Sequence, residues 1–173
     1  MKKLWLSFLA LLAACDDGTV ITHVGKYTAI SMSDLVVMQQ NGGIPTEVHG
    51  TPFTGATAEK LAAAIRPPAR ASQATRFRAV DIGSLDHGYR VVLHFNPVGP
   101  PNSQHDCRMK EKARTNPPAP VGFSVNITFC KNDKPEAFGF LQSRKTRDGD
   151  FKDYTRVMKV LLSNIFGPAG RDR

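Results

Sequence analysis

Three consecutive residues, His105-Asp106-Cys107, put two soft metal ligands beside a carboxylate. A structural zinc site needs four ligands, and a cysteine consumed in a disulfide supplies no thiolate, so no metal is expected here. Asp148, Asp150 and Asp153 in DGDFKD echo the start of a calcium loop, but the position that should carry its bidentate glutamate is Lys159. A turn followed by a helix N-cap accounts for the same aspartates. Ser84, Asp86 and His87 crowd into GSLDHG. Triad members normally converge from separate elements, and no G-x-S-x-G elbow occurs in the chain, so this stretch reads as a turn between strands. That leaves Arg90 and His94, on one face of a strand, as residues able to line a groove. No catalytic residue, cofactor motif or metal site is assigned.

The elements that would position these residues follow from periodicity. LVVMQQ, the turn residues Asn41-Gly42-Gly43 and IPTEVHG read as a hairpin over 35–49, with Pro45 restricting the second strand to a sheet edge. Thr54 is a plausible N-cap for a helix in which Ala58, Leu61, Ala62 and Ile65 share a face, ended by Pro67-Pro68. RFRAVDI (76–82) and YRVVLHF (89–95) alternate as two strands of a second hairpin; in the latter, Arg90, Val92 and His94 face away from the core. Residues 96–121 hold six prolines and read as a long irregular excursion, with a helical turn allowed around Met109 to Ala113. GFSVNITFC (122–130) and EAFGFLQS (136–143) form a third hairpin, and Asp150 caps a final helix. Phe151, Tyr154, Val157, Met158, Leu161, Leu162 and Ile165 make its apolar stripe, and Gly167-Pro168 ends it. The expected fold class is α+β: a single domain with an antiparallel sheet of about four to six strands and two helices packed on one face.

The chain has 173 residues, enough for one domain with a sizeable core, and a formal net charge of +8. Its cations are scattered rather than gathered into a stripe with aromatics, which argues against nucleic acid and in favour of anionic surfaces.

Lys2 and Lys3 precede an uncharged apolar run from Leu4 to Ala14. As a helix this run would rise about 16 Å, roughly half of a bilayer's hydrocarbon core, so it reads as an export signal rather than a span. Leu12-Ala13-Ala14-Cys15 resembles the lipobox of bacterial lipoproteins. That resemblance implies cleavage before Cys15, acylation of its thiol (palmitate among the chains) and attachment to the membrane on the periplasmic side. Asp16 resembles the inner-membrane retention signal of enteric lipoproteins, with the outer membrane kept open. The implied organisation is a signal peptide over 1–14, a tether over 15–33 in which a strand near Thr19 to Val24 stays possible, a domain over 34–168 and a tail over 169–173. In an exported chain the remaining pair, Cys107 and Cys130, reads as a disulfide pinning the irregular excursion to the sheet. Asn126-Ile127-Thr128 matches a glycosylation acceptor that a bacterial lipoprotein would not use, inside an expected strand. The functional expectation is a non-catalytic accessory role in the cell envelope, with an envelope protein as partner. The alternatives are a hydrolase whose site assembles only in three dimensions, built on His94, Arg90 and the excursion, and a lipid- or glycolipid-binding domain.

Overall fold

A computed structural model describes residues 18–28, 30, 34–39, 42–67, 75–85 and 87–166. Cys15 with the lipobox-like run before it, and the expected stop at Gly167-Pro168, lie outside them. The elements run β1 (Thr19–Lys26), α1 (Asp34–Val37), β2 (Ile44–His49), α2 (Ala58–Ala64), β3 (Phe77–Ala79), β4 (Tyr89–Phe95), α3 (Ser103–Asp106), β5 (Val121–Lys131), β6 (Lys134–Arg147) and α4 (Phe151–Phe166). The named strands form one sheet in the order β1-β6-β5-β4-β2-β3.

The sheet is mixed, which corrects the antiparallel expectation. β1, β6, β5 and β4 pair antiparallel, whereas β2 pairs parallel with both β4 and β3. The expected hairpin of 76–82 with 89–95 does not form, because β3 and β4 flank β2 on opposite sides and run in the same direction. A turn-rich link such as GSLDHG looks local in sequence, yet a parallel arrangement forces the chain to cross the sheet instead. Gly83 marks that crossing: its N–H donates to Glu47 Oε1 at 3.2 Å.

Other expectations are corrected nearby. The first half of the 35–49 hairpin is a helical turn, α1, whose Leu35 enters the core together with Met38 just beyond it. Pro45 sits in an interior strand, but β4 pairing begins only at Thr46, so at Pro45 β2 has β3 alone as neighbour. The N-cap of α2 is Thr57 rather than Thr54, its side chain accepting from the Lys60 N–H. Residues 19–26 are not tether: β1 pairs with β6 from Thr19↔Ser143 to Lys26↔Ala137. Any tether therefore ends before β1. The helical turn in the excursion is α3, earlier than Met109 to Ala113.

Strand alternation divides the sheet into two layers. Val91, Leu93 and Phe95 of β4, Phe123, Val125, Ile127 and Phe129 of β5, and Ala137 and Leu141 of β6 are buried under α2 and α4. The stripe read from the sequence makes α4 amphipathic, with Tyr154, Val157, Met158, Leu161, Leu162 and Ile165 inward. Asp150 caps it as expected, its Oδ1 accepting from the Asp153 N–H at 2.9 Å. α4 lies so close to β6 that a Cβ on Gly139 would come within 2.8 Å of Leu161 Cδ1. Tyr154 packs among Phe53, Phe95, Phe123 and Phe151, and its hydroxyl donates to the Leu61 carbonyl at 3.2 Å, tying α4 to α2. Burial pushes its phenol well above the usual range. Among the described residues no helix is long and apolar enough to cross a membrane.

Candidate functional site

The opposite face of the sheet is built differently. Glu47 and His49 of β2, Arg90, Val92 and His94 of β4, and Asn126, Thr128 and Cys130 of β5 lie side by side in register, His49 against His94 and His94 against Asn126. Most of these side chains are polar, and all but His94 are essentially buried. They can be buried because residues 96–116 fold over them as a roof.

Several independent fastenings hold that roof. Cys107 and Cys130 form the expected disulfide, with a Cα separation of 5.6 Å, and with Val92 and Met109 they make a small second apolar core. Arg90 Nη2 donates to the Cys107 carbonyl and Nη1 to the Asn132 carbonyl, the latter at 2.8 Å. The Ala113 N–H donates to His49 Nδ1 at 3.0 Å. The Asn116 N–H donates to the Asn96 carbonyl at 2.8 Å, and Pro97 bridges to Thr115. Asn102 caps α3 through its side chain, which accepts from the His105 N–H at 3.0 Å.

Under the roof the charges are arranged in two groups. Glu47 Oε1 lies 3.4 Å from Arg90 Nε, an ion pair with both side chains at most 1% exposed. His49 accepts at Nδ1, so its proton sits on Nε2, which faces Glu47 Oε2 at 3.9 Å, too far for a direct hydrogen bond. The second group centres on Asp106. Its Oδ2 accepts from Asn126 Nδ2 and, at 3.0 Å, from Thr128 Oγ1. Its Oδ1 accepts from His94 Nδ1 at 3.2 Å. Three donors thus satisfy one buried carboxylate, which is the condition for keeping it there.

His94 connects this buried layer to solvent. Its side chain is 12% exposed, against 1% for Asp106, and it forms the floor of an open hollow of about 750 Å³ within the roof. Arg108, Lys110, Lys112 and Arg114 line the hollow, with Glu111 as their acidic counterpart. Pro97, Val98, Pro100 and Met109 supply apolar surface. The volume falls in the range of small-ligand sites. His94 Nε2 lies 3.4 Å from the Arg114 carbonyl.

Of the two groove-lining residues read from the sequence, His94 lines the hollow and Arg90 does not. Arg90 is a buried roof anchor, drawn in because its long side chain reaches two carbonyls as well as Glu47. Ser84 donates to the Asp81 carbonyl at 2.6 Å, as a turn residue would, and Asp86 lies outside the described residues. Asp148 Oδ1 accepts from the Thr54 N–H, while Asp153 pairs with Arg156 at 2.8 Å. Among the described residues no three His, Cys, Asp or Glu side chains gather to hold a metal ion.

Sequence reasoning missed Glu47, His49, Asp106, Asn126 and Thr128 as members of one site. A signal was present, since Glu47/His49 and Asn126/Thr128 each alternate with apolar residues in a strand. Such alternation ordinarily means a solvated face, and only the roof reverses that meaning.

Gly83 supports the site from the crossing. It has φ +71°, and a Cβ there would meet the Lys110 carbonyl oxygen at 2.6 Å. Gly83→Ala is therefore expected to destabilise the fold by about 2 kcal/mol through backbone strain and displacement of the roof. Chemical denaturation checks it; an unchanged midpoint would show that the roof yields freely.

No family model, curated protein or solved structure matches this chain.

Proposed function

We propose that this chain is a membrane-anchored bacterial envelope lipoprotein with a non-catalytic binding role, and that the roof hollow is its recognition surface. The observation that carries the binding role is the roof. A long, proline-rich segment is fastened by a disulfide, a buried arginine and a buried histidine so that it presents a fixed concave surface on the face away from α2 and α4. Pre-organisation of this kind reduces the ordering cost of binding. The anchor rests on Leu12-Ala13-Ala14-Cys15, and the partner class on that address, an envelope component within reach of a tethered domain.

Each half has its own test. The wild-type chain is expected to stay with membranes through a salt wash, whereas Cys15→Ser should appear in the soluble fraction. Each buried acyl CH₂ contributes about 0.8 kcal/mol, so loss of the chains should release the protein. Membrane retention of Cys15→Ser would end the lipoprotein reading. For the binding role, a photocrosslinker at Lys112 in the intact cell should give one reproducible adduct that Arg108→Ala/Arg114→Ala abolishes.

A second reading, a hydrolase, draws on the His94–Asp106 pair at the floor of the hollow. A histidine whose Nδ1 is held by a buried carboxylate has the geometry of a general base. Its Nε2, however, faces a backbone carbonyl rather than a hydroxyl or thiol nucleophile. The charged lining gives less support to an apolar lipid-chain site.

A further inference from the structure

We infer that the ligand of the roof hollow is a phosphate-bearing anion, with its phosphate seated between the Arg108–Arg114 rim and His94; the inference rests on the binding role proposed above. The first ground is charge. Four cations line the hollow against one exposed acid, Glu111, because the other acid in the lining, Asp106, is turned inward onto three donors. A concave surface carrying an excess of one sign of charge above low-dielectric packing concentrates the opposite sign within it.

The second ground is donor geometry. Two guanidinium groups offer planar forks suited to phosphate oxygens, and two ammonium groups add charge with looser direction. Beneath them, the two ring nitrogens of His94 both face acceptors, Asp106 Oδ1 and the Arg114 carbonyl. Asp106 holds Nδ1 in place, so the edge presented toward the hollow is Nε2. The contact of Nε2 with the Arg114 carbonyl is long enough for a phosphate oxygen to compete for it.

The third ground is rigidity. The segment carrying the cations is pinned at Cys107 by the disulfide and at Ala113 by His49, so the residues between are held from behind at both ends. Cations on a fixed backbone lose less freedom on meeting an anion than cations on a mobile loop.

A free phosphate and a phospholipid headgroup share this chemistry, and the test separates them. Full chain, purified in a neutral detergent, is titrated with inorganic phosphate while the amide and imidazole resonances of His94, Ala113 and Arg114 are followed. In parallel, the chain is reconstituted into phosphatidylcholine vesicles with and without phosphatidylglycerol. Saturable shifts confined to the hollow with inorganic phosphate, weakened at least about tenfold by Arg108→Gln/Arg114→Gln, support a free phosphate or phosphomonoester. Shifts at the same residues that require phosphatidylglycerol support a headgroup. Either result upholds the inference. Both rim residues are exposed, so their replacement should leave the fold intact, which an unchanged melting curve verifies. If neither probe moves these resonances, or if the double variant binds as wild type does, the phosphate assignment is overturned. Persistence of the Lys112 crosslink in that case would leave the binding role standing without this ligand class; its loss as well would remove both.

Discussion

Glu47→Ala is expected to be the most damaging single substitution on the polar face, costing about 3–5 kcal/mol of stability. The carboxylate is fully buried, 3.4 Å from Arg90 Nε, and also accepts from Gly83, so removing it strands a buried guanidinium and takes away the acceptor of the Gly83 N–H. Arg90 would keep only the Cys107 and Asn132 carbonyls, which are dipoles and not a counter-charge. A double-mutant cycle separates this from simple loss of volume. Glu47→Leu/Arg90→Met removes both charges and should cost less than the two single replacements summed, because no unpaired ion remains. Urea denaturation reads all four proteins. Additive costs would mean that the pair is not coupled, and the electrostatic account of this layer would have to be abandoned.

Loss of the disulfide has the second-largest expected effect. Cys107 and Cys130 are 23 residues apart, and on the chain-entropy model a closed loop of that length contributes about 3 kcal/mol. Cys107→Ala/Cys130→Ala should therefore lower the melting temperature by roughly 10 °C for a domain of this size. The damage should also be uneven. The sulfur atoms pack with Val92 and Met109 in the small core under the roof, separate from the large core under α4. Hydrogen exchange in the reduced or double-alanine protein should rise first at Arg108 to Ala113 while amides of β4 and β5 stay protected. Uniform acceleration across both regions would show that the disulfide secures the whole domain and not the roof.

The Arg90–Glu47 pair illustrates how far the sequence could be read. Arg90 was legible as a residue facing away from the apolar core, because Tyr89, Val91, Leu93 and Phe95 alternate with it. The sequence puts Glu47 in a strand, as the structure does, but signals an antiparallel hairpin where β2 pairs parallel with its neighbours. A parallel partner is chosen by a crossover, and short-range turn signals carry no information about crossovers. For the same reason the sequence suggests a hairpin of β3 with β4, although β3 lies beyond β2.

The sequence alone determined those elements whose pattern is local and strong: β4, β5, β6 and the amphipathic α4 with its Asp150 cap. The Cys107–Cys130 bond, which the structure contains, was legible only as what an export reading of the opening residues would imply. Tertiary structure decided the rest. It set β2 parallel between β3 and β4, carried 96–116 over the second face, and so turned alternating polar residues from a solvated surface into a buried layer. The reason is range: periodicity records which side of a strand a residue takes, whereas what covers that side depends on contacts made by segments distant in the chain. The hollow floored by His94 exists only because of such contacts.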